Sequence, residues 1–153
     1  MKKLVFFIIV YSLFANFCYS QTERSLTKNP LKLSEYVNDE TGTLKPDEIN
    51  LLSLKLRKFY DSTSTQVVVL LLSSLNDEPV ENVANAIFRY NGIGGKGKDN
   101  GVLLIISKGE RKIRLEIGYG LEGVLTDAMS KQIISREITP ELKKGNYFKG
   151  IDN

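Results

Sequence analysis

Two short runs constrain this chain more than any other feature: Gln66 to Leu72 (QVVVLLL) and Val102 to Ile106 (VLLII). Both are apolar almost throughout and rich in branched aliphatic residues. Both are too short for a stable helix, so they read as strands buried on two faces. Between them, starting at Pro79, the residues Val80, Val83, Ala84, Ile87 and Phe88 form a one-sided stripe at helical spacing that ends near Asn91-Gly92. Strand, helix and strand in that order make a βαβ unit. Its strands run parallel, and its crossover is normally right-handed.

The flanking segments attach to this unit by local signals. Pro46 suits a first helical position, with Asp47 and Glu48 in the first turn where the helix dipole favours acids. Ile49, Leu52, Leu56, Phe59 and Tyr60 then recur at helical spacing to about Asp61. After the VLLII run, Gly109-Glu110 lies in a short turn, and Lys112 to Gly118 alternates, with Ile113, Leu115 and Ile117 on one face. The short connection makes this strand antiparallel to the one before it. A third helix is expected from about Thr126 to Ile138, with Met129, Ile133, Ile134 and Ile138 inward and an interruption at Thr139-Pro140. Leu142, Phe148 and Ile151 suggest one more short helix.

The first twenty residues read differently. Lys2 and Lys3 precede an apolar run from Leu4 to Phe17, and small residues flank a cut after Ser20. This is the pattern of a secretory signal peptide removed before Gln21. The run is short of the ~20 residues of a spanning helix. Bulky Phe17 before Cys18 argues against a lipid-anchored cysteine. The domain reading is therefore a signal peptide over 1–20, a flexible polar lead over 21–35 and one domain over 36–153, exported to the periplasm or cell envelope. A membrane tether enters only if the native chain continues past Asn153.

Removing the leader changes the chemistry that remains. Two of the 21 basic residues and none of the 18 acidic ones leave with it, so the remainder is close to neutral. No clustered basic face suggests nucleic acid. The only cysteine, Cys18, leaves too, and the chain has no histidine. A Ser-His-Asp triad, a Cys-His pair and the usual zinc ligand sets are excluded. Catalysis would fall to carboxylates, hydroxyls, Tyr, Lys, Arg or a hard metal held by oxygen, and no complete catalytic constellation is visible.

The hairpin brings two glycine-rich loops, KGKDNG before Val102 and IGYGLEGVLTD from Ile117 to Asp127, to one edge of the sheet. Asp99, Glu122 and Asp127 can gather there. Calcium accepts six to eight oxygen ligands in irregular geometry, and magnesium would keep more water. The alternative has Asp99-Asn100-Gly101 as a turn and Asp127 in the first turn of a helix. The two readings stay open on these residues alone. Lys96 and Lys98 could meet phosphate, but the spacing does not fit a nucleotide P-loop. Arg114 and Glu116 read as a pair or as part of the sheet's polar face, Tyr119 as a packed loop anchor or, less commonly, a ligand contact, and Lys143 and Lys144 as a solvated face.

Together, GIGGKGKDNGVLLIIS, RKIRLEIGYGLEGVLTD, ITPELKKGNYFKGI and the VNDETGTL segment at 37–44 resemble the TPM-domain family from about Tyr36 to Ile151. The resemblance implies a three-layer αβα sandwich, an α/β fold with a small mixed β-sheet flanked by helices, in agreement with the pass above. It implies calcium binding, with acidic candidates Asp39, Asp99, Glu122 and Asp127 and, less directly, Glu116. It also implies acid-phosphatase-like activity on phosphomonoesters or, alternatively, a non-catalytic accessory module for a membrane-protein complex, with metal ordering its loops. Asp39 fits the gathering worst. A helix antiparallel to 66–72 begins at the sheet's other end, unless a short strand at Tyr36-Val37 carries Asp39 back.

Overall fold

The computed structural model describes residues 25–95 and 97–153. The expected signal peptide and the phosphate reading of Lys96 lie outside the described residues. Four strands form one mixed sheet in the order β1-β2-β3-β4: Val37–Asp39, Gln66–Leu72, Gly101–Ser107 and Lys112–Ile117. β1, β2 and β3 are parallel, and β4 is antiparallel to β3. Helix α1 (Pro46–Thr63) connects β1 to β2, and α2 (Val80–Asn91) connects β2 to β3. Pro46 begins α1, and the Glu48 carboxylate accepts the Lys45 backbone N–H at 2.8 Å, closing its first turn.

The strands alternate between two cores. Val68, Leu70, Leu72, Leu103 and Ile105 face α2 and its stripe of Val80, Val83, Ala84 and Ile87. Val69, Leu71, Leu104 and Ile106 face α1, through Leu52, and the C-terminal helices, through Ile138. This is the expected sandwich of helices on both faces of a small mixed sheet. The two crossovers step the same way across the sheet, yet their helices lie on opposite faces. They therefore have opposite hands, and one departs from the right-handed rule.

Two expectations are corrected. Residues 25–35, read as part of a flexible lead, lie against the α2 face. Leu26 is buried in that core, with Leu31 and Leu33 packed on it. The Glu78 carboxylate accepts the Thr27 hydroxyl and backbone N–H, and Asn91 bonds Leu31 O and Leu33 N. Isolated leucines without periodicity hide such a segment in the sequence. The third helix also differs. Helix α3 (Asp127–Ile133) passes through a π-helical turn (Ile134–Ile138) into α4 (Thr139–Lys143), so the chain widens before Pro140 instead of breaking there. A proline lacks the N–H of the regular ladder, and a widened turn tolerates that loss. The inward row becomes Ser130, Ile134 and Ile138, while Met129 and Ile133 face solvent. Helix α5 (Tyr147–Asp152) follows.

Candidate functional site

The two glycine-rich loops meet as the hairpin requires. Val102 pairs with Ile117, and the Gly118 N–H donates to Gly101 O at 2.8 Å. The Gly120 N–H donates to Asp99 O at 3.0 Å. The contact is made by bare backbone. A Cβ on Gly118 would lie 2.1 Å from Asp99 O, and one on Gly120 would lie 2.3 Å from Lys98 O. Asp99 itself takes a left-handed backbone, φ 47°. Asn100 follows, with its Nδ2 donating to Ser64 O at 2.7 Å on the β2 side, while its buried Oδ1 has no partner.

The chain then makes one 3₁₀ turn (Tyr119–Leu121) and enters α3. Thr126 caps that helix by accepting the Met129 N–H, which leaves Asp127 in the first turn beside the positive end of the helix dipole. A polar cleft of about 360 Å³ opens here, lined by Arg114, Glu116, Glu122, Thr126 and Asp127 among others. Glu116 is already engaged. It pairs with Arg114 at 3.0 Å and accepts from Asn85 of α2 at 2.9 Å, as the sequence pairing of Arg114 with Glu116 anticipates.

The expected acids therefore divide. Glu122 and Asp127 share the cleft, and Asp99 reaches the same edge through its backbone. Asp39 does not join them. A short strand does form, but β1 runs parallel to β2 with Asp39 opposite Leu71, whereas Asp99 sits before Gly101, which is opposite Gln66. Five strand steps, roughly 16 Å, separate the two levels. Asp39 instead holds the turn into α1, accepting from Thr41 N at 2.8 Å, Thr41 Oγ1 at 2.6 Å and Leu44 N at 2.7 Å. Burial pushes its carboxyl up, but the hydrogen bonds from Leu44 and Thr41 outweigh it and leave the group below the usual carboxylate value.

Among the described residues no three acidic, His or Cys side chains lie together in a way that could hold a metal ion. The described side chains alone do not make up a metal centre, and no reaction step is assigned to one. What the edge does present is apolar surface. Tyr119, expected as a packed anchor, is 81% exposed, and Val124, Met129 and Ile133 are exposed along the same stretch. Sequence reasoning missed this because Met129 and Ile133 fit an inward helical stripe, whereas the face that packs is that of Ser130, Ile134 and Ile138.

Comparison with known proteins agrees with this architecture. The family described as the TPM domain matches residues 37–153. Among solved structures, the N-terminal domain of a protein from P. gingivalis is similar over 84% of this chain and 80% of its own length, with 30% identity and a TM-score of 0.71. The N-terminal domain of the cg2496 protein from Corynebacterium glutamicum has 18% identity and a TM-score of 0.62, covering 84% of this chain and 80% of its own. BA42 from the psychrophilic Bizionia argentinensis has 20% identity and a TM-score of 0.62, covering 71% and 73%. At those identities the last two show a shared fold alone. No curated protein matches.

Proposed function

We propose, since the chain belongs to the TPM-domain family, that it is a non-catalytic module of the cell envelope that binds a membrane-protein complex through its glycine-rich edge. The observation that carries this reading is the exposed apolar run Tyr119, Val124, Met129 and Ile133, set on a scaffold that the Gly118 and Gly120 contacts hold in place. Exposed apolar surface of this kind is what protein contact sites use, and these four side chains supply it along this stretch. No helix among the described residues is long and apolar enough to cross a membrane.

The test is chemical crosslinking in native envelope, comparing the parent with Tyr119→Ser/Met129→Gln. The reading expects a discrete crosslinked product that the double variant loses while keeping its melting temperature. An unchanged product pattern in the double variant overturns it. The competing reading, a calcium-binding domain that hydrolyses phosphomonoesters, is measured in the same preparation. Phosphate release from a phosphomonoester, dependent on calcium or magnesium and abolished in Asp99→Asn/Asp127→Asn, would replace the binding reading with the enzymatic one.

A further inference from the structure

The sheet ends in a strand with one side open. β4 is last in the order β1-β2-β3-β4 and pairs only with β3. The glycine junction fixes which of its backbone groups face out. Gly118 lies one step beyond the Val102–Ile117 pair, opposite Gly101, and donates its N–H to Gly101 O at 2.8 Å. In an antiparallel ladder such residues alternate with residues whose N–H and C=O groups point away from the partner. Counting back from Gly118, Glu116, Arg114 and Lys112 bond β3, while Ile117, Leu115 and Ile113 turn theirs to the open side. Among the described residues no backbone group of another element bonds them. The polar cleft lies on this side, with residues 114–117 along one wall and Glu122, Leu125, Thr126 and Asp127 along the other. We infer that this edge joins two copies of the chain, β4 antiparallel to β4 of the partner subunit, into one continuous sheet.

Edge strands that stay single are commonly guarded by a proline, a bulge, a cover or a charge. β4 reads KIRLEI, without proline, and its register with β3 runs unbroken from Lys112 to Ile117. Charge is the remaining guard, and here the charges are self-complementary. The outward groups belong to odd-numbered residues, so a two-fold axis that keeps most of the strand paired falls at Arg114, Leu115 or Glu116. An axis at Arg114 sets Arg114 against Arg114 of the partner subunit. An axis at Glu116 sets the two glutamates against each other. Like charges directly opposed are destabilising. Only the axis at Leu115 sets Arg114 against Glu116 of the partner subunit, and symmetry repeats the pair. The same axis uses every outward residue. Leu115 meets Leu115 of the partner subunit, and Ile113 meets Ile117 of the partner subunit. Ile113 and Leu115 already pack on the core beneath α1 and the C-terminal helices. An apolar row therefore crosses the joint on that face, and the opposed charges cross it on the other.

The second copy also supplies what the cleft lacks. Glu122 and Asp127 have no ion-pair partner among the described residues, and Arg114 is held by Glu116 of its own strand at 3.0 Å. With the axis at Leu115, Arg114 of the partner subunit enters the cleft beside Glu116. A cation arriving near two unpaired carboxylates is attracted by both. An added strand of this kind gains its affinity from main-chain hydrogen bonds and its specificity from the side chains that alternate along it.

The experiment uses the purified chain, so no envelope protein takes part. Sedimentation over a micromolar-to-millimolar series should show a monomer–dimer equilibrium. Amide hydrogen exchange followed by NMR should show protection at Ile113, Leu115 and Ile117 that rises with protein concentration, while Arg114 and Glu116 stay protected by β3 throughout. Arg114→Glu and Glu116→Arg should each weaken dimerisation about tenfold, since each turns both opposed pairs into like charges. An equimolar mixture of the two variants should recover the parent's association, because each then sets opposite charges against the other. Melting temperatures establish that both variants are folded, and the exchange pattern decides the question on the parent chain without any variant. A monomer at every concentration overturns the inference. Association that leaves the three outward amides exchanging as before overturns it too, and so does a mixture of folded variants that associates no better than its components. None of these readouts depends on the Tyr119 surface, so this inference and the proposed envelope contact fail separately.

Discussion

Glu110 offers the most direct test of the physical account, because one carboxylate fastens the turn that presents Lys108 and Arg111. It accepts from the Ser107 hydroxyl, from Ser74 Oγ at 2.8 Å and from Leu75 N at 3.0 Å. Ser107 and Leu75 are both buried. The Ser107 hydrogen bond is the largest influence on its ionisation. Desolvation opposes it, the Leu75 and Ser74 bonds reinforce it, and the carboxyl is drawn from 4.5 down to about 2. The full shift corresponds to roughly 3 kcal/mol. Glu110 is only half-buried, so solvent screening reduces the figure to about 1–2 kcal/mol for Glu110→Gln. Glu110→Ala should cost about 2–3 kcal/mol, because it also strands the Leu75 N–H and the Ser107 hydroxyl in the core.

The sign of the pH dependence follows from the lowered value. A carboxyl that is more acidic folded than unfolded stabilises the fold fully above 4.5, and that stability is lost as pH falls towards 2. Urea unfolding of parent and Glu110→Gln should therefore differ most at pH 7, less at pH 3, and converge near pH 2. The difference between the two proteins isolates this group from Glu141, which Lys144 first and then Asn146 hold at about 2 as well. A stability difference below about 0.5 kcal/mol at pH 7 would refute the reasoning, being no more than an ordinary surface substitution gives. A difference independent of pH would refute it equally.

Two further outcomes follow from the same geometry. Gly118→Ala should destabilise by about 3 kcal/mol or more in urea unfolding, since its Cβ meets the Asp99 carbonyl at 2.1 Å, whereas Gly123→Ala, with nothing within 4 Å, should stay within about 0.5 kcal/mol. Asp39→Asn should lower stability at neutral pH, with the loss fading as pH falls below 3.8 because the parent then loses the same charge. In a calcium titration followed by melting temperature, Asp39→Asn should behave as the parent does, since Asp39 lies at the other end of the sheet from the glycine-rich loops.

The βαβ unit and the hairpin were legible because they depend on local signals. QVVVLLL and VLLII are continuous apolar runs, and the Lys108–Arg111 turn is short enough to fix an antiparallel partner. The convergence of KGKDNG with IGYGLEG followed from that hairpin alone. What was not legible depends on pairing across the chain. Three residues of β1 have no signature apart from their contact with β2, so its pairing was not legible, although the helix antiparallel to 66–72 already put Asp39 at the sheet's other end, where it lies opposite Leu71. The exposure of Met129 and Ile133 was not legible, because two apolar residues at helical spacing read as inward whichever face packs. A basic cavity joins Lys108 and Arg111 to Lys143, and Lys143 beside Lys144 looks like a solvated pair until Glu141 claims Lys144 and leaves Lys143 facing the cavity.

The glycine-rich motif can be present for a reason that precedes any ligand. Gly118 and Gly120 have no side chains because the Lys98 and Asp99 carbonyls occupy the space a Cβ would need, and the Gly120 N–H uses Asp99 O as its acceptor. Those demands hold with or without a cation. A sequence that keeps the motif is therefore keeping a backbone junction between two loops, which is a statement about fold. The acids beside it are a separate matter. Glu116 is engaged by Arg114 and Asn85, while Glu122 and Asp127 remain in the cleft. Replacing Glu122 and Asp127 should leave the junction and the fold intact, whereas replacing Gly118 should not. Motif and activity are thus separable in this domain, and function must be argued from the side chains that the junction places at the surface.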